Sequence, residues 1–177
     1  QVLHELDGAA LAGLVTIDPK APIVPLNPSP VVVLPTDALP LEPPPGSGGR
    51  HGEHVGVLTW GGMRICVEVA AGQVRSGVNP QGEPWSVLLP WHYGEIADTM
   101  GLDGEPIDAI VGPLVESEIY VATILDSEGE PDEEKALLGF GSEDAARGAL
   151  TTFYPGMDIV RDVRAESLVA FRQRVLV

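Results

Sequence analysis

Three acidic side chains, Asp103, Glu105 and Asp108, lie within six residues of the sequence. Asp103 opens a predicted turn, Pro106 excludes a helix, and the apolar run from Ile107 predicts a strand. Three carboxylates that converge at the mouth of a strand repel one another unless a cation or a proton lies between them. Oxygen ligands grouped in this way suit a hard divalent ion such as Mg²⁺. Taken alone, such a string is more typical of an acidic surface turn.

Other motifs give this string a context. Tyr93-Gly94 precedes it, and the order Tyr-Gly, then Asp-Gly-Glu-Pro-Ile-Asp at 103–108, resembles the signature of family I soluble inorganic pyrophosphatases. The sequence resembles still more closely the pyrophosphatase-like domain encoded by many tailed bacteriophages. That resemblance covers roughly residues 55–177 and also includes Arg75-Ser76-Gly77, Trp85 and the segment 132–140. Because these motifs are separated but occur in the same order, the resemblance predicts the fold; it does not by itself establish an activity.

The resemblance also implies roles for individual residues. An enzyme of this family needs carboxylates to hold several Mg²⁺ ions and cationic side chains to neutralise the phosphates. If the chain is an enzyme, Mg²⁺ is its expected cofactor, and Glu68 is a further acid on an early strand. The implied metal ligands are Asp103, Glu105, Asp108, Asp126 and Asp132 (or Glu133); the implied phosphate-binding residues are Arg75, Lys135 and Arg64; and the implied catalytic residues are Asp108 and Tyr93.

Four departures from the family pattern affect these roles. Glu105 stands where the signature has Asp, which moves the carboxylate outward by about 1.5 Å, and catalytic geometry tolerates little displacement. Cys66 stands two residues before Glu68, where the family has a lysine, and Tyr154 is followed by proline where the family has lysine. The chain has only two lysines, at positions 20 and 135. Arg64 is a candidate substitute, but an arginine fork is not equivalent to a lysine point charge.

The elements that must position these residues are short strands followed by helices. Strands are predicted at 55–60, 63–70, 85–89, 107–111 and 119–125, joined by turns. Ser142 and the two acids after it predict the start of a helix that ends at Pro155. A second helix is predicted from about Ala165, with Leu168, Phe171 and Val175 on one face. The predicted fold class is α+β: a small OB-like antiparallel β-barrel with two C-terminal helices, preceded by an extended Pro-rich N-terminal arm.

Residues 1–50 differ in composition from the rest of the chain. Ten of the 17 prolines lie between Pro19 and Pro45, which excludes an internal helix and predicts an extended backbone. The residues between the prolines are mostly apolar, whereas a disordered linker is expected to be polar. We therefore predict two parts, an arm with a Gly-rich linker at 1–50 and a barrel domain at 51–177, in which residues 1–45 attach the protein to other subunits.

Composition limits the classes of partner. The formal net charge of −16 argues against binding nucleic acid, whose phosphates need lysine and arginine, and against an anionic membrane surface. No segment has the length of a membrane span, and the N-terminus lacks the pattern of a signal peptide. The single cysteine, Cys66, excludes an intrachain disulfide and is predicted to be a small buried side chain. His51 and His54 have a metal-like spacing in a Gly-rich junction, which is a weak signal.

These observations support two hypotheses. The first is a bacteriophage virion structural protein, of the capsid-associated decoration or cement type, that uses the pyrophosphatase-like fold as a scaffold rather than as an enzyme. It would be made in the cytoplasm of a bacterial host, would reside in the virion, and would bind capsid subunits or further copies of itself as a homo-oligomer. The second is an Mg²⁺-dependent inorganic pyrophosphatase or a related small-phosphate hydrolase. The apolar arm and the missing phosphate ligands favour the first hypothesis.

Overall fold

Strands are more extensive than helices in the described part of the chain, which in this computed structural model comprises residues 38–44, 54–78, 82–155 and 158–177. Nine strands and two helices lie in these ranges. Their bounds are β1 Gly56–Trp60, β2 Met63–Val69, β3 Val74–Val78, β4 Pro84–Leu88, β5 His92–Ile96, β6 Asp108–Val111, β7 Ile119–Leu125, β8 Pro131–Leu138, α1 Glu143–Phe153, β9 Val160–Glu166 and α2 Leu168–Val175.

Seven of the strands form one sheet in the order β1-β2-β5-β6-β8-β7-β9, and β3 and β4 form a separate two-stranded ribbon. The pairs in the large sheet are antiparallel except for β6 with β8, which run parallel. Strands β1 and β9 lie at opposite edges, so the sheet is open. The prediction of a closed OB-like antiparallel barrel is therefore wrong on this point. The physical reason is that β8 inserts between β6 and β7, parallel to β6, and leaves the first and last strands at opposite edges.

Three strands that position the candidate site, β3, β5 and β8, were not predicted. β8 carries a run of charged residues that is more typical of a loop. In the strand its side chains alternate between the two faces of the sheet, so Glu133 and Lys135 project to one face and Glu134 projects to the other. β5 contains Gly94, which normally weakens a strand. Here a side chain at Gly94 is excluded, because an added Cβ would lie 2.0 Å from the carbonyl oxygen of Cys66 on β2.

Each face of the large sheet packs against one helix. On one face Phe171 and Val175 of α2 pack with apolar residues of β1, β2 and β6. On the other face Leu150 and Phe153 of α1 pack with residues that include Ile110 of β6. Burial of these fully enclosed side chains stabilises the sheet by about 1.5–3 kcal/mol each. The sheet thus presents two different surfaces, and the candidate site lies on the α1 side.

The helix starts follow local capping chemistry. Ser142 caps α1 as predicted, its hydroxyl oxygen accepting a hydrogen bond from the Ala145 amide at 3.2 Å. Residues 165 and 166, predicted as the start of the second helix, instead end β9, and Ser167 caps α2 through the Ala170 amide. Neither described helix is long and apolar enough to cross a bilayer.

The short described segment at 38–44 packs against the sheet. Glu42 pairs with Val57 through two backbone hydrogen bonds of 2.8 and 2.9 Å, and Leu39 and Leu41 pack against the α2-side core. The rest of the predicted Pro-rich arm, residues 1–37 and 45–50, lies outside the described residues. The division of the chain at residue 50 therefore stays a prediction.

Candidate active site

Strand register brings four reactive side chains into one row across the sheet. Cys66 on β2 lies opposite Glu95 on β5, Glu95 opposite Asp108 on β6, and Asp108 opposite Lys135 on β8. Directly opposed residues project to the same face, with Cβ atoms about 4.5–5.5 Å apart in antiparallel pairs. Residues far apart in the sequence thus form a continuous polar line beside the α1-side core.

Lys135 is the central cation of this row. Its Nζ donates to Asp108 Oδ2 at 2.6 Å and to Glu133 Oε2 at 2.9 Å, and its side chain is only 2% exposed. Burial alone would lower the pKa of Lys135, but the ion pairs with Asp108 and Glu133 outweigh burial and raise it. Lys135 is therefore a permanent buried ammonium with two carboxylate partners.

Tyr93 fixes the same carboxylate from a second direction. Its hydroxyl donates a hydrogen bond to Asp108 Oδ2, the atom that also accepts from Lys135. Burial, more than any neighbouring charge, raises the pKa of Tyr93, so the phenol keeps its proton and remains a donor. Two donors from two strands thus hold one oxygen of Asp108 in a fixed position.

The β3–β4 ribbon supplies a second cation. Arg75 Nη2 lies 3.5 Å from the Tyr93 hydroxyl oxygen, and the guanidinium lies 4.4 Å from the Tyr93 ring centroid and 5.5 Å from that of Trp85. Gly77 makes this arrangement possible, because an added Cβ would lie 2.6 Å from the Trp85 ring. Stacking on two aromatic rings fixes the plane of the guanidinium and leaves a donor fork suited to a phosphate.

Carboxylates exceed cations in this cluster. Glu68, half-buried on β2, has its pKa raised by burial first and then by the charges of Asp108 and Glu95. Glu68, Asp108 and Glu133 carry three negative charges against the two positive charges of Lys135 and Arg75. Carboxylate oxygens are the ligands that a hard divalent cation prefers, so these acids are the candidate ligands for such an ion.

Asp103 and Glu105 lie in the exposed turn that leads into β6. Asp103 Oδ1 accepts a hydrogen bond from the Glu105 amide at 3.0 Å, and Gly101 donates to the Glu105 carbonyl at 2.7 Å. Thr99 Oγ1 anchors the start of the strand by accepting from the Ile107 amide at 3.0 Å. The turn presents two acids at the entrance to the strand whose first residue is Asp108.

The remaining predicted site residues are placed differently. Asp126 is fully exposed, and its Oδ1 accepts from the amides of Glu128 and Glu130, contacts that lower its pKa. Asp132 is exposed at a bulge in β8, whereas Glu133, its predicted alternative, contacts Lys135 directly. Arg64 is exposed on β2, on the same face as Cys66. The structure thus brings Asp108, Tyr93, Lys135 and Arg75 together, and it shows no contact between that group and the side chains of Asp126, Asp132 or Arg64 among the residues described.

Glu95 and Tyr154 were not predicted as site residues. Glu95 belongs to the polar row, and the Tyr154 ring centroid lies 5.9 Å from Lys135 Nζ. The alternation of β8 around Lys135 was the one signal that favoured Glu133 over Asp132, because only residues two apart share a face. Nothing in the sequence indicates that β2 and β5 are neighbours, so the place of Glu95 beside Cys66 could not be inferred.

Comparison with known proteins assigns the chain to a family. The inorganic pyrophosphatase family model matches residues 50–175, and the chain belongs to that family. A search of curated proteins found no match. Solved structures that resemble it include an inorganic pyrophosphatase from Coxiella burnetii, with 17% sequence identity and a TM-score of 0.37 over 62% of this chain and 88% of the other. Another is an inorganic pyrophosphatase from Helicobacter pylori, with 16% sequence identity and a TM-score of 0.39 over 62% of this chain and 88% of the other. Members of the family generally use Mg²⁺.

This assignment corrects the preferred functional hypothesis. The predictions of a virion structural protein of the decoration or cement type, and of a location in the virion, are wrong, because the match supports the enzyme alternative instead. The hypothesis gave too much weight to the composition of residues 1–50, most of which lie outside the described ranges, and to lost lysines. The predicted homo-oligomer and the absence of nucleic-acid or membrane partners remain predictions.

Proposed function

We propose that this protein is an Mg²⁺-dependent inorganic pyrophosphatase. The observation that carries the proposal is the buried contact of Lys135 Nζ with Asp108 Oδ2, an oxygen that also accepts the Tyr93 hydroxyl, with Arg75 stacked above the same tyrosine. Carboxylates therefore lie beside a buried ammonium, and the partly exposed Arg75 is the cation that can reach a phosphate. Membership in the pyrophosphatase family supports the same conclusion.

The reaction assigns these residues separate tasks. In hydrolysis the oxygen of water joins one phosphorus, and the bridging oxygen leaves with the other phosphate. Arg75 is oriented to bind phosphate oxygens, and Lys135 offsets the negative charge that accumulates near Asp108. Asp108, held by two donors, is positioned to accept the proton of the attacking water, and Tyr93 keeps its carboxylate oriented.

The donor set of the chain fits Mg²⁺. Oxygen atoms of Asp108, Glu68 and Glu133 would hold the ion, with Asp103 and Glu105 at the entrance, since oxygen-only ligands are what this ion prefers. When bound, the ion supplies positive charge that neutralises phosphate oxygens. Asp126 and Asp132, proposed from the sequence, are further ligand candidates on the exposed β7–β8 side.

The test is phosphate release from pyrophosphate by the purified full chain with Mg²⁺. Asp108→Asn is expected to lower kcat by about 100- to 10,000-fold, the range for loss of a general base. Asp162→Asn, an exposed aspartate of edge strand β9, is the matched control and is expected to keep full activity. Equal activity of the Asp108 variant and the wild type would remove Asp108 from the reaction, and no turnover by the wild type would overturn the proposal.

A further inference from the structure

A second group of ligand atoms lies beside the acidic cluster and is not used by it. The ligand atoms of His54, Cys66 and Glu95 all lie within 4.8 Å of one another. Unlike the all-oxygen set around Asp108, this group contains an imidazole nitrogen and a sulfur. It therefore calls for a different ligand from Mg²⁺.

The histidine gives an independent indication of a missing partner. The side chain of His54 is 10% exposed, and its buried Nε2 has no hydrogen-bond partner. Glu95 Oε1 lies 3.6 Å from Nε2, which is within ion-pair distance when the imidazole is protonated but beyond the range of a hydrogen bond. Buried polar atoms without partners are rare in folded proteins, so each one needs an explanation.

We propose that His54 Nε2, Cys66 Sγ and a Glu95 carboxylate oxygen bind one Zn²⁺ ion. Zinc bonds of about 2.0–2.3 Å in a tetrahedron place two ligand atoms roughly 3.4 Å apart, close to the 3.6 Å between Nε2 and Oε1. Imidazole, thiolate and carboxylate are the three kinds of zinc ligand in proteins. Three protein ligands leave a fourth position for water.

The backbone holds the three ligands before any ion binds. Cys66 and Glu95 are directly opposed on β2 and β5. His54 is held next to them because the amide of Val55 donates to the Val67 carbonyl at 2.8 Å. The Cys66 side chain is buried, and its thiol loses a proton to solvent when it becomes a zinc ligand. Binding is therefore expected to strengthen as pH rises.

Metal binding by the full chain tests the proposal. Chelator-treated protein is titrated with Zn²⁺ by calorimetry in excess Mg²⁺, which occupies the oxygen ligands near Asp108. We expect one Zn²⁺ per chain, and a thiolate-to-metal absorption band when Co²⁺ replaces Zn²⁺. Cys66→Ser is expected to abolish the band and to weaken Zn²⁺ binding by at least about 100-fold, since even residues that only support metal ligands cost 10- to 100-fold.

Two further variants keep the result interpretable. Asp162→Asn, an exposed residue of edge strand β9, is the control and is expected to leave Zn²⁺ affinity unchanged. His54→Gln repeats the test at a second ligand if Cys66→Ser fails to fold, as judged by circular dichroism. Zinc binding that survives both ligand variants, or that is lost in Asp162→Asn, overturns the proposal. These readouts do not depend on pyrophosphate turnover, so they fail or succeed separately from the proposed activity.

Discussion

Two charged clusters on opposite faces of the same sheet differ in charge balance and in depth. On the α1 side, Lys135 is 2% exposed and contacts two carboxylates, Asp108 and Glu133. On the α2 side, Glu134 is 5% exposed and contacts two arginines, Arg164 and Arg174, which are 41% and 38% exposed.

The second cluster is closed by one further acid. Arg174 also pairs with Glu166 at 3.0 Å, so two carboxylates meet two guanidinium groups. Its charges balance within the chain, and its cations reach water. The α1-side cluster keeps a carboxylate in excess and buries its cation. Neighbouring residues of β8, Glu134 and Lys135, thus take part in a structural network and in a candidate active site because the strand alternates.

The largest expected effect is that of Lys135→Met. The variant leaves Asp108 and Glu133 without their buried counter-charge, and we expect the free energy of unfolding to fall by about 3 kcal/mol. This is the lower end of the range for breaking a buried ion pair, because both acids are partly exposed. Activity should fall by at least about 100-fold, as when one electrostatic donor is removed. Urea denaturation and phosphate release measure the two effects.

Arg164→Met is the matched control on the other face. Its guanidinium is 41% exposed and Glu134 keeps Arg174 as a second partner, so its loss should cost about 1 kcal/mol and leave activity intact. Equal destabilisation by the two variants would show that burial does not separate the clusters.

Glu134→Gln is expected to separate stability from activity. Removing this charge leaves two partly exposed arginines, and we expect a loss of about 1–2 kcal/mol at neutral pH with no change in turnover. Burial alone would raise the pKa of Glu134, but the hydrogen bonds from Arg164 and Arg174 outweigh the effect of burial and lower the pKa. The ionised Glu134 therefore stabilises the fold at pH values above its pKa in the unfolded chain, near 4.5. This stabilisation is lost as the pH falls through the lower pKa of Glu134 in the folded protein.

Denaturation of wild type and Glu134→Gln at neutral pH and at acidic pH checks this sign. The two proteins should converge in stability as the solution becomes acidic. A gap that widens on acidification, or a tenfold loss of turnover, would place Glu134 in the catalytic cluster instead.

Arg75→Lys tests the stacked guanidinium. Lysine keeps the charge but loses the planar contact with Tyr93 and Trp85. We expect KM for pyrophosphate to rise by about tenfold, equivalent to about 1.4 kcal/mol, with a smaller change in kcat. Arg147→Lys, on the exposed surface of α1, is the control, and a similar KM for both variants would count against a phosphate-binding role for Arg75.

Local sequence patterns predicted the parts of this molecule that depend on neighbouring residues. The cap at Ser142 and the burial of Cys66 follow from chemistry within a few positions and were confirmed. The open sheet was not predicted, because strand order depends on β8 joining β6 in parallel, a contact across more than twenty residues. The contact of Glu133 with Lys135 follows from alternation once residues 131–138 are known to be a strand, whereas the approach of Glu95 to Cys66 required the pairing of β2 with β5.

The smallest expected effect, that of Glu68→Gln, has the opposite sign from the others. Burial and the charges of Asp108 and Glu95 raise the pKa of Glu68, so ionisation of this carboxyl at neutral pH opposes folding. The neutral variant should be more stable than wild type at neutral pH by about 0.5 kcal/mol, or about 1–2 °C in Tm. The difference should vanish as pH falls below 4.5, where wild-type Glu68 also carries its proton. Calorimetric melting across this pH range measures the difference in stability, with Glu42→Gln as the control. If the variant is less stable than wild type at neutral pH, Glu68 supports the fold. A gain in stability together with a loss of turnover is expected if Glu68 is an acid that binds a cation.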